Sequence, residues 1–255
     1  MKFLLIGDFS GQFSKELEIS LSKEKFDAVL CTGDFADMRE ISKLFKTYGN
    51  KLGKVLGKEK NEEIKIEAIT KAKIPLEKLN SLGKPIYTVR GNNEYNSKLN
   101  VFLKITKDYK NIKLVDFKKV KINGITIIGF PAFSAIEDKK ELKNSYEKFT
   151  KIIKNIEKTI ILSHIPPYNC EFDKIPEKAK NFNAGKHVGY KTVEKIVEKY
   201  EFPLLICGHL EEYQGICYKD KTKVINPGAA EQNKYAILEI NKNNLRDSKI
   251  VFKKV

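Results

Sequence analysis

Cysteine is scarce and unpatterned in this 255-residue chain: the four residues fall at Cys31, Cys170, Cys207 and Cys217, with no paired spacing. Nothing there suggests a disulfide framework or a cysteine zinc cluster. Cys31 and Cys207 lie inside apolar runs, where a thiol is usually a small buried hydrophobe. Long apolar runs are missing as well. Phe3-Leu4-Leu5-Ile6 ends before Gly7-Asp8, too short for a signal-peptide core, and no segment approaches membrane-spanning length. The expectation is a cytoplasmic, reduced protein with no membrane partner. No linker rich in proline, glycine or serine divides the chain and no repeat is visible, so one domain over 1–255 is expected.

Arginine is nearly absent, appearing only at Arg39, Arg90 and Arg246, although Lys and Arg together number 48 against 33 Asp and Glu. The net charge of +15 invites a nucleic-acid reading through counterion release. That partner is possible but not favoured. Arginine is the usual base reader, and no run pairs basic residues with aromatics that would stack bases. Many lysines instead sit four residues from glutamates, as at Glu67/Lys71 and Glu147/Lys151, a spacing that supports exposed helices. The charge therefore reads as a solvated lysine-rich surface, able to attract a small phosphorylated substrate.

Strands and helices alternate through the first half. Strands are expected at 2–6, 28–31 and 85–89, with helices near 12–22 and 97–108. A lysine-rich helical excursion over about 39–82 is broken by Gly49, Gly53, Gly57 and Pro75 and is expected at the surface near the crevice rim. Strands at 112–117, 120–122 and 125–129, the last two joined by the turn Asn123-Gly124, replace helix there. Helices at 139–158 and 189–200 then feed strands at 159–162 and 203–207. The last third reads as strands at 215–218, 223–225, 235–240 and 249–252. This pattern implies an α/β fold of α+β type: two packed mixed β-sheets flanked by helices.

Five of these strands end in a metal-ligand type of side chain: Gly7-Asp8-Phe9-Ser10, Gly33-Asp34-Phe35-Ala36-Asp37, Gly91-Asn92-Asn93-Glu94, Ser163-His164 and Gly208-His209-Leu210-Glu211. Ligands delivered from the carboxyl ends of several strands converge on one crevice. The ordered set resembles the calcineurin-like metallophosphoesterases, whose pattern is D-x-H, G-D-x-x-D, G-N-H-[DE], H and G-H-x-H. The resemblance runs from Asp8 to Asn226-Pro227-Gly228 and takes in Pro166-Pro167-Tyr168 and Gly185-Lys186-His187-Val188-Gly189. It implies a four-layer αββα sandwich and two divalent ions bridged by an aspartate and a water or hydroxide, a clamp for a phosphoryl group. By position, Asp34 would bridge, and Asn92, His164 and His209 would complete one metal site. Two of the three histidines fall on these positions.

The second metal site departs from the pattern. Asp8 is present, but Ser10 and Glu211 replace two family histidines, which makes the site oxygen-rich and suited to Mn or Mg rather than Zn. One or two ions are therefore expected, drawn from Mn, Fe, Zn and Mg. Asn93 stands where many members carry a histidine that protonates the leaving group, and asparagine cannot act as a general acid. His187 either supplies that proton or simply hydrogen-bonds in its loop. Asp37 and Glu94 either cap helices, the expected role, or orient a ligand. Asn226-Pro227-Gly228 reads as a tight turn. The expected function is a metal-dependent phosphohydrolase cleaving a phosphomonoester or phosphodiester by a metal-bound hydroxide. The alternatives are a degenerate metal- or phosphate-binding member of the same fold and a nucleic-acid-processing nuclease.

Overall fold

The computed structural model of the chain describes residues 1–95, 99–133, 139–179 and 183–255. Its first half contains β1 (Lys2–Ile6), α1 (Lys15–Lys23), β2 (Ala28–Cys31), α2 (Arg39–Tyr48), α3 (Leu52–Thr70), α4 (Lys73–Ser81), β3 (Ile86–Thr88), α5 (Asn92–Tyr95), α6 (Leu99–Lys107) and β4 (Ile112–Leu114). The second half adds β5 (Lys119–Ile122), β6 (Ile125–Phe130), α7 (Lys139–Thr150), β7 (Thr159–Ser163), α8 (Lys191–Tyr200), β8 (Leu204–Ile206), β9 (Gly215–Lys219), β10 (Thr222–Asn226), β11 (Lys234–Glu239) and β12 (Lys249–Lys254).

Two six-stranded sheets form, in the orders β12-β11-β1-β2-β3-β4 and β5-β6-β7-β8-β10-β9. In the first, β1 to β4 run parallel and β11 joins β1 antiparallel. In the second, β6, β7, β8 and β10 run parallel, with β5 and β9 antiparallel at the edges. Both sheets are mixed, as the strand pattern implies.

Side-chain alternation sorts the apolar residues into three interfaces. Phe3, Leu5 and Leu30 of the first sheet meet Ile127, Leu162 and Ile206 of the second. Leu4, Ile6 and Val29 face the other way, onto Leu17 and Leu21 of α1, Leu76 and Leu79 of α4 and Phe102 of α6. Ile128, Ile161 and Leu205 likewise face Phe149 of α7 and Val193 and Ile196 of α8. Helix, sheet, sheet and helix are thus stacked in four layers. With both sheet faces covered, the parallel strands read as continuous apolar runs rather than as alternating ones. No described helix is long and apolar enough to cross a membrane.

Element ends differ where local chemistry overrides the pattern. The first helix starts at Lys15 rather than near 12, because Ser14 is extended and its Oγ accepts the Leu17 N–H at 3.0 Å, a side-chain N-cap. Of the helix expected over 97–108, residues 97 and 98 lie outside the described residues, and the rest forms α6. The helix expected to reach 158 stops at Thr150, and a 3-10 turn at Ile156–Lys158 leads into β7.

The excursion is broken differently from expectation. Gly49 opens a 3-10 turn and Gly57, at φ +72°, kinks α3, but Gly53 stays within the helix. Pro75 is the third residue of α4 and does not break it, because its missing N–H falls in the first turn, where donors have no partner within the helix. No described side chain between residues 38 and 63 is buried. Replacing residues 49–57 by a short glycine-serine bridge should therefore leave a soluble protein with nearly unchanged thermal unfolding. Insoluble protein would place part of the core in this segment.

Candidate metal centre

The site is built where β1, β2, β3, β7 and β8 end. Beyond β1 and β2 the two loops zip together: Asp8 N–H donates to the Gly33 carbonyl at 2.9 Å and Phe9 N–H to the Asp34 carbonyl at 2.8 Å. The second sheet joins through Gly208 N–H on the His164 carbonyl at 2.9 Å, and across the sheets His209 N–H donates to Asp8 Oδ1 at 3.0 Å. Asp8, Ser10, Asp34 and His209 all adopt positive φ, between 48° and 76°. Such strain costs on the order of 1–3 kcal/mol per residue and gathers at functional sites.

The glycines before the ligands have a steric cause. A Cβ on Gly91 would lie 1.8 Å from Asp34 Oδ1, and one on Gly208 would lie 2.3 Å from Asp8 Oδ2. Each carboxylate occupies the space that a side chain on the facing loop would fill, the Gly91 loop in the same sheet for Asp34 and the Gly208 loop of the other sheet for Asp8.

Asp34, His164 and His209 each offer one ligand atom within 4.8 Å of the others. Asn92 joins them, its Oδ1 lying 2.9 Å from His164 Nε2, while Asp34 Oδ2 lies 3.4 Å from the same nitrogen. His164 Nδ1 is 2.8 Å from the Thr32 carbonyl, a contact that orients the ring and turns Nε2 into the crevice. Burial alone would lower the His164 pKa, but Asp34, aided by Asp8, raises it to about 9. Burial would raise Asp34, yet the charge and hydrogen bond of His164 outweigh it and hold the carboxyl below its usual range. His209 is pushed down to about 3, first by burial and then by the His164 charge. Its neutral ring keeps a free lone pair. Asp34 Oδ2, Asn92 Oδ1 and His164 Nε2 thus converge beside His209, an arrangement that suits a divalent cation.

The remaining candidates divide. Asp8 stands beside this group, and burial raises its carboxyl to about 7, opposed by His164. Ser10 follows on the same loop, its N–H 3.4 Å from the Asp34 carbonyl. Asn93 lies at the edge: its N–H donates to Asp34 Oδ1 at 3.0 Å and its Oδ1 accepts from Asn92 Nδ2 at 2.9 Å. Burial, and after it the neighbouring Glu231 carboxyl, raises Glu211 to about 9. His187 hydrogen-bonds outside the cluster, its Nδ1 2.6 Å from the buried Asp173 carboxylate and its ring against Tyr168. Asn226 closes its turn by accepting the Gly228 N–H at 2.9 Å.

Asp37 sits one residue before Met38, the N-cap of α2, and satisfies the first N–H of that helix. Its Oδ1 accepts the Arg39 N–H at 3.1 Å, and the Arg39 guanidinium, against the effect of burial, holds its pKa at about 2. Glu94 caps the head of α5 through the Gly91 N–H, and it does more. Fully buried, it accepts the N–H groups of Phe35 (2.7 Å), Gly91 (2.8 Å), Ala36 (3.0 Å) and Asp34 (3.1 Å). These four bonds, each worth about 0.5–1.5 kcal/mol or more, offset the strain at Asp34 and fix its loop against the Asn92 loop. Glu94 is therefore a positioning residue, and only its place one residue after Asn93 hinted at that. Thr32 and Glu231 were missed altogether, since neither belongs to a motif.

The donor set fits a divalent ion. Two imidazoles, a carboxylate and an amide oxygen suit borderline metals such as Zn, Fe and Mn. Comparison with known proteins agrees: the family model for calcineurin-like phosphoesterases matches residues 1–213. The chain belongs to that family. It is similar to the uncharacterized protein MJ1162 of Methanocaldococcus jannaschii, at 28% identity over 136 residues, covering 51% of this chain and 58% of that protein. The match thus spans less than two thirds of that relative. Among solved structures, TT1561 of Thermus thermophilus superposes with TM-score 0.60 at 13% identity, over 99% of this chain and 98% of that one. A dimetal phosphatase from Danio rerio superposes with TM-score 0.55 at 12% identity, over 100% of this chain and 95% of that one. At these identities the likeness is one of fold.

Proposed function

We propose that the crevice hydrolyses phosphate esters, with a divalent ion held by Asp34, Asn92, His164 and His209. The observation that carries this reading is the convergence of Asp34 and Asn92 oxygens on His164 Nε2, with His209 in the same group. A bound ion would supply Lewis acidity and an activated water. The chain's own contributions are positional. Thr32 orients His164, Glu94 pins the Asp34 loop, and Asp8 ties the His209 backbone to the first sheet. Asn93 can offer a hydrogen bond but no proton. His187 is held through Nδ1 by Asp173, and any proton it supplies would come from Nε2.

Binding without turnover is the second reading, and the side chains at Ser10, Asn93 and Glu211 favour it. The two are separated by assaying metal-reconstituted protein on chromogenic phosphomonoesters and phosphodiesters, with Asp34→Asn as control. Hydrolysis stimulated by Mn²⁺ and lost in the control is the expected result. Bound metal with no turnover on any ester would replace the enzyme with a binding protein.

A further inference from the structure

Asp173 belongs to no motif, yet it is fully buried and ties two segments together. It ends the turn Glu171–Asp173. Its Oδ2 accepts the Asn169 N–H at 2.7 Å, its Oδ1 lies 2.6 Å from His187 Nδ1, and its carbonyl accepts the Val188 N–H at 2.8 Å. Asn169 lies on the loop that follows His164. One residue thus joins the loop of a metal-ligand candidate to the segment of His187.

The two segments also run side by side. Tyr190 N–H donates to the Pro166 carbonyl at 2.9 Å and Tyr168 N–H to the Tyr190 carbonyl at 3.2 Å, a parallel pairing of Pro167 with Tyr190. Gly189 permits the approach: a Cβ there would lie 2.6 Å from the Pro167 carbonyl oxygen and 2.8 Å from Asp173 Cβ. The His187 ring packs against Tyr168, with 5.6 Å between centroids. His187 is therefore held alongside the loop that leaves the metal centre at His164.

The contact with Asp173 gives the two ring nitrogens different parts. A carboxylate accepts and cannot donate, so the proton in the 2.6 Å contact belongs to Nδ1. The hydrogen bond of one ring nitrogen sets the state of the other. Asp173 is wholly buried while the His187 side chain is 33% exposed, so the accessible side of the ring is the one that carries Nε2.

Resting on the phosphoesterase reading, we propose that Asp173 is a positioning residue: it holds one proton of His187 on Nδ1, so that the proton passed to the leaving group comes from Nε2. In that step a water oxygen bonds to phosphorus and the bond from phosphorus to the ester oxygen breaks. The ester oxygen takes the Nε2 proton of the imidazolium. The neutral ring that remains keeps its other proton on Nδ1, against Asp173. The proton shed by the attacking water goes to solvent, and solvent reprotonates Nε2. An amide in place of the Asp173 carboxyl can donate to Nδ1 and so favour the opposite tautomer.

Two measurements test this, one of them independent of activity. The chain has three histidines, so nitrogen-15 labelling of their rings gives few signals, and His187→Gln identifies those of His187. In zinc-loaded protein with the ring neutral, His187 should carry its proton on Nδ1 in the wild type and chiefly on Nε2 in Asp173→Asn. The second measurement is turnover. Asp173→Asn should lower kcat for alkyl esters by roughly tenfold or more, with KM, metal content, circular dichroism and nitrophenyl-ester turnover little changed. In a His187→Ala background the same substitution should have little effect, because the group it positions is gone. A purely structural Asp173 would slow both ester types alike, with or without His187. A neutral wild-type His187 with its proton on Nε2, an equal loss on both ester types, or the full loss in the His187→Ala background would overturn the proposal. The wild-type spectrum decides the tautomer even if Asp173→Asn fails to fold. Should the wild type hydrolyse no ester while the tautomer is as expected, the phosphoesterase reading fails and takes the proton transfer with it.

Discussion

Gly91→Ala should strip the protein of its more tightly held metal without unfolding it. The new Cβ would fall 1.8 Å from Asp34 Oδ1 and 2.6 Å from Asp34 N, far inside contact distance. Overpacking of this kind costs about 1–3 kcal/mol, which at about 2–4 °C per kcal/mol for a chain of this size lowers Tm by roughly 2–12 °C. The carboxylate can relieve the clash only by leaving the place where it meets His164. Elemental analysis after purification without chelator should find at least one ion per wild-type chain and less than a tenth of that in the variant. His209→Ala should lose the same ion with a smaller change in Tm, because it removes a donor and creates no clash. A Gly91→Ala protein with full metal content would mean that Asp34 does not hold the ion.

The layers were legible because the strands carry apolar residues on both faces. Leu4 and Ile6 serve one interface while Phe3 and Leu5 serve another, and no half-polar alternation obscures them. Helix limits were less legible. Pro75 is a nominal breaker whose effect depends on where in a turn it falls, and the packing of Leu76 and Leu79 places it in the first turn of α4; Gly53 stays helical in a stretch with no buried side chain to mark it. The grouping of Asp34, Asn92, His164 and His209 could be anticipated because each closes an apolar run. The supports could not. Glu94 bonds Phe35 across 59 positions, and Glu231 reaches Asp8 from the far end of the chain. Contacts of that range leave no local pattern: the Glu94 cap on the Gly91 N–H was legible, and its bonds to Asp34, Phe35 and Ala36 were not.

If the crevice hydrolyses phosphate esters as proposed, Asn93→His should speed its turnover of demanding substrates. Asn93 lies at the edge of the donor group, tied by its N–H to Asp34 and by its Oδ1 to Asn92, so on the proposed phosphoesterase reading a replacement there would stay beside the substrate. A positioned general acid contributes about 10²–10⁴-fold, and only when the leaving group needs a proton. Nitrophenyl esters leave unaided as stable phenolates, whereas alkyl esters leave as strongly basic alkoxides. The wild type should therefore hydrolyse nitrophenyl esters measurably with Mn²⁺ and alkyl esters far more slowly. In Asn93→His, kcat/KM for alkyl esters should rise by roughly 10²-fold while that for nitrophenyl esters changes little. The dependence of rate on leaving-group basicity should flatten, and a new descending limb should enter the pH profile as the imidazolium loses its proton. His187→Ala separates the remaining source of protons. If His187 serves the wild type through Nε2, that variant should slow alkyl esters further and spare nitrophenyl esters. An equal gain on both ester types in Asn93→His would show that the histidine acts by charge rather than by proton transfer. No gain on either, with the metal bound, would mean that leaving-group protonation is not what limits this site.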